Sequence, residues 1–166
     1  MRVYKNVGGE VISVVDYTTD IVKKHPNVEI HIGTDSQNIR VSKNREERKQ
    51  TRGRKKKVSK YAIVIAFRYS TRGVHYIYTT DSFPRIKDRY ARLYKEAVLT
   101  IEEAEWFSNK MPSIKTQLDF DFNEDEKYFS QRLVDISKGW ATGLGYEVNM
   151  KPNNQIATKA ADKHCK

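Results

Sequence analysis

The feature that most constrains the fold is an acidic residue placed at the end of an apolar, strand-like run. Residues 28–34 carry Val28, Ile30 and Ile32 at alternating positions, and Asp35 follows directly. A carboxylate at the end of a buried strand loses hydration unless a partner compensates for that loss. We therefore expect a β-strand that delivers Asp35 to the rim of a sheet, next to a neutralising group.

The rest of the chain alternates helical and strand-like patterns. The predicted elements are, in order, a helix over 10–24, strands over 28–34, 61–67 and 74–79, a helix from about 82 to 110, a strand over 114–122, a helix from about 123 to 142, a strand over 146–150 and a helix from 154. Turn residues over 70–73 predict that the second and third strands form an antiparallel hairpin. This order predicts a single α/β domain over 1–166 with a mixed sheet.

The composition indicates in which cellular compartment the protein is expected. It contains no apolar run long enough to cross a bilayer, and its first residues lack the apolar stretch of a signal peptide. Its single cysteine, Cys165, has no partner for an internal disulfide, so no oxidising compartment is required. We expect a cytoplasmic protein without membrane association.

Nearly all of the net charge of +10 lies in one segment. Residues 40–60 contain eleven Lys and Arg against two acids, a net of +9, and almost no apolar side chains. This segment is predicted to be a basic insertion outside the core, suited to phosphate contact. Its candidate contacts are Arg52, Arg54, Lys55, Lys56 and Lys57. The alternatives are a solvated loop, or binding of structured RNA without cleavage.

Three further carboxylates occur where an α/β fold can bring them near Asp35. Glu96 borders the apolar stripe of the long helix, Asp121 ends the following strand, and Asp162 lies on the small-residue terminal helix. The carboxyl ends of neighbouring parallel strands share one rim, so Asp35 and Asp121 are neighbours if their strands are parallel. Asp119 has the same strand parity as Asp121 and is the alternative inward-facing acid.

A cluster of four acids requires neutralisation. Two carboxylates 4 Å apart repel by about 4 kcal/mol at an effective dielectric constant near 20. Oxygen ligands favour Mg²⁺ or Mn²⁺, and two such ions promote phosphodiester cleavage. In the simpler interpretation these acids are solvated surface groups, with Glu96 paired to Lys95 or Arg92 on the helix surface.

Four segments resemble a bacterial family of poorly characterised ribonuclease H-like proteins. They are Ile-His-Ile-Gly-Thr-Asp-Ser-Gln at 30–37, Tyr-Lys-Glu-Ala at 94–97, Leu-Asp-Phe-Asp-Phe-Asn at 118–123 and Ala-Ala-Asp-Lys-His at 160–164. The resemblance spans nearly the whole chain, and it implies a ribonuclease H-like mixed five-stranded sheet with helices on both faces. It also implies a two-metal centre held by Asp35, Glu96, Asp121 and Asp162, with Asp121 rather than Asp119 as the strand acid.

Two functions of different classes follow. The first is a metal-dependent nuclease that uses Mg²⁺ or Mn²⁺, with two ions expected, on RNA, an RNA–DNA hybrid or structured DNA. In it, Asp35, Glu96, Asp121 and Asp162 are both catalytic residues and metal ligands. The second is a non-catalytic RNA- or DNA-binding module on the same fold. The four acids favour the enzyme, because a pure binding module would tolerate neutral residues that avoid their repulsion.

Overall fold

The computed structural model describes residues 2–41, 45–50, 55–70, 73–123, 131–151 and 155–166. Seven strands lie within these ranges: β1 (Tyr4–Lys5), β2 (Val11–Ile12), β3 (Glu29–Val41), β4 (Lys56–Arg68), β5 (Val74–Pro84), β6 (Thr116–Asn123) and β7 (Glu147–Lys151). The described helices are α1 (Val14–Lys24), α2 (Arg45–Gln50), α3 (Arg89–Lys110), α4 (Gln131–Gly143) and α5 (Ile156–Cys165).

The seven strands form one mixed sheet in the order β2-β1-β5-β4-β3-β6-β7. Strands β3, β4 and β5 are antiparallel neighbours, as the hairpin prediction required. Strands β3, β6 and β7 run parallel to one another, which confirms the parallel arrangement on which the meeting of Asp35 and Asp121 depends. The α/β class is confirmed, with seven strands rather than five because β1 and β2 extend the β5 edge.

The sheet is covered by helices on both faces, because its strand residues alternate between them. On one face, Ile30 and Ile32 of β3 pack in a large core with Ile101 and Phe107 of α3, joined by residues of α1 and α4. On the other face, α5 packs against a smaller core of β4 residues, in which alanine predominates. Small side chains on both elements let α5 lie close to the sheet.

Two predicted helix starts were wrong, and caps explain both. The first helix begins at Val14, not at residue 10, because Ser13 caps it through the amide of Asp16 and the residues before it form β2. The long helix begins at Arg89, where Asp88 accepts a hydrogen bond from the amide of Ala91. Ser82 and Pro84, expected at its start, instead belong to β5.

Strands β3 and β4 are longer than predicted and take in part of the basic segment. Their antiparallel register runs without a break from Glu29↔Arg68 to Val41↔Lys56. Within the supposed insertion, Val58 is 4% exposed and Ser59 is fully buried. The prediction that residues 40–60 lie wholly outside the core was therefore wrong at the C-terminal end of the segment, because the ladder with β3 continues beyond the apolar stretch and buries Val58 and Ser59.

Some predicted features lie outside the described residues. Glu126 and Asn154, expected to cap the fourth and fifth helices, are among them, as are Arg52 and Arg54. Asn123, the other half of the expected capping box, is the last residue of β6. No helix in the described part of the chain is both long and apolar enough to cross a membrane.

Gly33 sets the distance between β3 and α5. A Cβ atom at this position would lie 3.0 Å from the Cβ of Ala157, 3.0 Å from the carbonyl oxygen of Asp119 and 3.1 Å from a methyl of Thr158. All three contacts are tighter than ordinary van der Waals packing, and one is to backbone. Glycine is therefore required here for the close approach of a helix, not for an unusual backbone angle.

Gly33→Ala is predicted to destabilise the fold by about 1–3 kcal/mol, because overpacking pushes α5 away from β3. Thermal unfolding should show a melting temperature lower by roughly 2–4 °C per kcal/mol for a chain of this size. The matched control is Gly139→Ala on α4, where an added Cβ meets nothing within 4 Å and helix propensity improves. Equal melting temperatures for Gly33→Ala and the wild type would contradict this account of the packing.

Candidate metal centre

The candidate centre lies where β6 leaves β3. The parallel register between these strands ends at the pair Gly33↔Asp119, whereas β3 stays paired with β4 as far as Val41. Asp35 is two residues beyond the last β6 pair, so its side chain borders an opening at the carboxyl ends of two parallel strands. Openings of this kind are where α/β sheets bind ligands.

Asp35 is not at the end of its strand, as the sequence suggested, but near the middle of β3. The prediction placed the strand end where apolar alternation stops, and pairing with β4 carries the strand further. At Asp35 the pairing of β3 with β6 has already ended, whereas its pairing with β4 continues. Asp35 therefore lies at an edge of the sheet only on the side of β6. Asp35 is half-buried there, and its Oδ1 accepts a hydrogen bond of 2.8 Å from the amide of Ser36.

Burial is the main cause that raises the pKa of Asp35 to about 6. The amide of Ser36 opposes this shift, while the negative charges of Asp121 and Asp162 reinforce it. Asp121 and Asp162 thus each lie near enough to Asp35 to repel its negative charge. Asp121 comes from β6 and Asp162 from α5, and both are half-buried.

Glu96 reaches the centre from α3 on the opposite face of the sheet. Its side chain is 3% exposed, so the interpretation as a surface partner of Lys95 or Arg92 is wrong. Ser36 donates its hydroxyl to Oε1 of Glu96, and α3 is fixed to β3 by the hydroxyls of Thr34 and Thr100, 2.9 Å apart. Among the described residues, Oε2 of Glu96 is buried without a hydrogen-bond partner.

The pKa of Glu96, like that of Asp35, is raised mainly by burial and further by neighbouring negative charges. Burial raises the pKa of Glu96 well above its usual value; the hydroxyl of Ser36 lowers it, and the charges of Asp35 and Asp121 raise it again. Ser36 therefore connects the two sets of acids: its amide binds Asp35 and its hydroxyl binds Glu96. A buried, ionised carboxylate with one unsatisfied oxygen is costly unless a cation or proton lies beside it.

Asp162 lies on α5 with part of its side chain in solvent. Lys166 forms an ion pair of 2.8 Å with its Oδ2. Asp162 also belongs to a group with Asp35 and Cys165 in which one ligand atom of each residue lies within 4.8 Å of the others. That separation is small enough for one ion to contact several of these atoms.

Asp119, the alternative strand acid, has a different environment from Asp121. It is fully buried and accepts hydrogen bonds from the amide of Ala157 at 2.8 Å, from the side-chain amide of Asn149 at 2.9 Å and from Nδ1 of His31 at 3.0 Å. Burial lowers the pKa of His31, but the hydrogen bonds and charges of Asp119 and, to a lesser degree, Glu29 raise it by more, so the net shift is upward. Asp119 thus anchors the start of α5.

Two residues of the centre were not singled out from the sequence. Ser36 follows Asp35 in the Gly-Thr-Asp-Ser-Gln segment, and its position next to a candidate ligand was the available signal. Cys165 lies three residues after Asp162, a spacing that places both on one side of a helix. Its Sγ donates to Oδ2 of Asp35 at 3.6 Å, and burial, with the nearby carboxylates, raises the pKa of the thiol to about 12.

The candidate nucleic-acid contacts are only partly described. Lys55, Lys56 and Lys57 are exposed at the start of β4, while Arg52 and Arg54 lie outside the described residues. Lys60, further along β4, pairs with Gln37, and Ala62 pairs with Asp35. Because side chains alternate along a strand, Lys56 and Lys60 lie on the same face of the sheet as Asp35.

The donor set fits a hard divalent ion. The charges of Asp121 and Asp162 raise the pKa of Asp35, and those of Asp35 and Asp121 raise the pKa of Glu96. One buried oxygen of Glu96 has no partner among the described residues. Oxygen donors of this type suit Mg²⁺ or Mn²⁺. The residues that would hold such ions are Asp35, Glu96, Asp121 and Asp162.

Comparison with known proteins identifies the family of the chain. The family model described as Ribonuclease H-like matches residues 51–166, more than half of the chain. The chain belongs to the ribonuclease H-like family. The matched range includes Glu96, Asp121 and Asp162, whereas β3 with Asp35 precedes it. No protein with a curated description matches the chain. With its seven-stranded mixed sheet, this member has a ribonuclease H-like fold, a type of fold on which nucleases are built.

Asp35→Asn is predicted to stabilise the protein without added metal. Because the folded-state pKa of about 6 exceeds the ordinary value of 3.8, the folded chain binds the proton more tightly, and stability falls as the pH rises through this window. After allowance for solvent screening, ionisation costs roughly 1–2 kcal/mol at neutral pH. In EDTA at about pH 7.5, we expect the melting temperature of the variant to exceed that of the wild type by roughly 2–8 °C.

The pH dependence of the melting temperature tests whether ionisation of Asp35 causes this difference in stability. The difference between the variant and the wild type should narrow as the pH falls below about 6, because Asp35 of the wild type is then protonated. Asp135→Asn on the exposed side of α4 is the matched control, for which no such difference is expected. A melting temperature of Asp35→Asn at or below that of the wild type at neutral pH would show that Asp35 is not under electrostatic strain.

Proposed function

We propose that this protein is a metal-dependent nuclease that hydrolyses phosphodiester bonds with two divalent ions, Mg²⁺ or Mn²⁺. The observation that carries the proposal is that Asp35 of β3 lies near enough to acids of β6, α3 and α5 to interact with their charges, while Glu96 is buried with one oxygen unsatisfied within the described structure. Membership of the ribonuclease H-like family supports the same reaction class.

Mutual repulsion is the physical reason for expecting ions. Protein folds rarely bury acids together unless a cation compensates for the lost hydration. The described cations near the cluster do not fill that role for Glu96: Arg92 lowers its pKa only as the smallest of several contributions. Lys166 pairs with Asp162 at the exposed side. Divalent ions held by Asp35, Glu96, Asp121 and Asp162 would relieve the remaining repulsion.

Each residue has a part in this proposal. Asp35 is central, because its charge interacts with all three other acids, and it would be a ligand of the bound ions. Glu96, Asp121 and Asp162 would complete the ligand set from three further elements. Ser36 is a positioning residue that holds Glu96 and Asp35 in a fixed relation. The chemistry that bound divalent ions supply is activation of a water and stabilisation of the leaving oxygen.

The proposed substrate is nucleic acid: RNA, an RNA–DNA hybrid or structured DNA. Support comes from the basic segment, since β3 and β4 extend from the centre to the exposed Lys55, Lys56 and Lys57. Lys60 lies on the same face as Asp35, one alternation along the neighbouring strand. Lys60 would contact a phosphate close to the proposed cleavage point, and Lys55, Lys56 and Lys57 would contact phosphates farther along the strand pair. None of these contacts reads base sequence.

Cleavage should depend on the acids and on the ion. Glu96→Gln and Asp35→Asn are expected to reduce Mg²⁺- or Mn²⁺-dependent cleavage by about a hundredfold or more, since each removes a charge that would hold an ion at the reacting phosphate. The assay is a screen of labelled single-stranded, duplex, hybrid and branched substrates with each ion and with EDTA. Glu102→Gln on the exposed side of α3 is the matched control and should cleave like the wild type.

Two results would count against the enzyme. Cleavage that persists in Glu96→Gln and Asp35→Asn would remove these residues from the mechanism. Binding of the substrates by the wild type without ion-dependent cleavage of any of them would instead support the non-catalytic binding module.

The basic segment is predicted to provide salt-sensitive affinity. Replacing Lys55, Lys56 and Lys57 with glutamine should weaken nucleic-acid binding. For every phosphate that the variant no longer neutralises, the slope of log K against log salt should fall in magnitude by about 0.9 on duplex DNA. Fluorescence anisotropy over a range of salt concentrations measures both the affinity and this slope.

The matched control replaces three exposed lysines at the opposite end of the sheet, Lys23, Lys24 and Lys110, which end α1 and α3. This variant has the same net charge as the first, but its substitutions are far from the basic segment, so Lys55, Lys56 and Lys57 are retained. If both triple variants lose affinity equally, general charge rather than this segment is responsible. The same design extended to Arg52 and Arg54 tests the remaining candidate contacts.

A further inference from the structure

Cys165 is an unusual neighbour for a set of hard oxygen ligands. It is the last residue of α5, it is 1% exposed, and it is the single cysteine of the chain. Its Sγ lies 3.6 Å from Oδ2 of Asp35. One oxygen each of Asp35 and Asp162 and the sulfur of Cys165 all lie within 4.8 Å of one another. The sulfur therefore faces the same space as the two carboxylates.

A purely structural role accounts for only part of this placement. Cys165 also packs in the alanine-rich core beneath α5, with Ala62 and Ala161 among its neighbours, and a buried cysteine often serves as a small apolar side chain. Alanine fills the other positions of that core on α5, however, and none of these brings a donor atom to Asp35. The distinguishing feature of Cys165 is the direction of its sulfur.

Glu96 provides an independent sign that a cation belongs here. Its side chain is almost fully buried, and within the described residues its Oε2 has no hydrogen-bond partner. Its other oxygen accepts from Ser36, whose amide binds the same Asp35 carboxylate that receives the thiol. The thiol contacts Asp35 directly, whereas Glu96 is connected to Asp35 through Ser36 from the other face of the sheet. The unsatisfied oxygen therefore supports a cation near Asp35, and the sulfur itself is the evidence for its choice of metal.

We propose that Cys165 makes this centre selective among metals: with Asp35 and Asp162 it forms a site for a thiophilic divalent ion such as Zn²⁺ or Cd²⁺. Thiolate is a soft ligand that favours such ions, whereas Mg²⁺ prefers oxygen alone. On binding, the ion forms a bond to sulfur and the thiol proton passes to the buffer. The thiophilic ion shares Asp35 and Asp162 with the proposed catalytic ions, so Zn²⁺ competes with them. This inference rests on the proposed metal centre.

Cadmium titration tests the sulfur directly, because a cadmium–thiolate bond absorbs in the ultraviolet and the chain has one cysteine. The wild type should develop this band and saturate at one ion per chain. Cys165→Ser should show no band, and Cys165→Ala, which suits the alanine-rich core, is the second variant in case serine disturbs folding. Absence of the band in the folded wild type would overturn the proposal.

Two further variants separate a built site from an isolated thiol. Asp35→Asn and Asp162→Asn should weaken cadmium binding by at least about tenfold, since even outer partners of metal ligands contribute roughly 10–100-fold. Asp135→Asn should bind as the wild type does. In the wild type, Zn²⁺ should abolish the band at concentrations at which Mg²⁺ leaves it intact. An affinity that does not depend on Asp35 and Asp162 would contradict the three-ligand site.

The outcome is distinct from that of the proposed function. A rise in the melting temperature of the wild type with Mn²⁺ tests the oxygen-ligand centre and does not involve sulfur. If Mn²⁺ stabilises the protein and no cadmium band forms, the role of Cys165 is wrong and the metal centre stands. If neither ion has an effect, both proposals fail.

Discussion

The contact between α5 and β3 is the constraint on which the candidate centre depends. Asp162 and Cys165 reach Asp35 only because α5 lies against the strand at a distance that Gly33 permits. The start of the helix is held separately, by Asp119 through the amide of Ala157. One residue sets how close the helix lies and the other sets where it begins. The two aspartates on β6 differ accordingly: Asp119 supports the helix, whereas the charge of Asp121 raises the pKa values of Asp35 and Glu96.

Electrostatic strain is then concentrated in a small volume. The acids come from elements that are otherwise well packed, so the repulsion cannot be relieved by a small movement of a loop. Ser36 links the two faces of the sheet, since one residue binds both Asp35 and Glu96. A charge placed near either carboxylate therefore affects the other. This arrangement favours a role in which the acids bind cations over one in which they only pack the core.

The fold was largely predictable from the sequence, because alternating and helical patterns report which residues are buried. The patterns failed where something other than burial decides a boundary. Ser13 and Asp88 begin helices later than the apolar pattern suggests, and pairing with β4 carries β3 past Asp35 through residues that are not apolar. The candidate acids could be proposed from their residue types and the expected parallel strands. The roles of Ser36, Asp119 and Cys165 could not, because each depends on a contact across the sheet.

The continuous ladder between β3 and β4 has a geometric consequence for the proposed enzyme. Asp35 and Val41 belong to the same strand, and Val41 pairs with Lys56. At about 3.3 Å per residue, six residues of strand separate the acid from the lysines by roughly 20 Å. Paired strands are stiff along their length, so this separation is built into the backbone. If Lys56 and its neighbours bind a phosphate as proposed, the length of the β3–β4 ladder determines the distance between that bound phosphate and the phosphodiester bond that is cleaved.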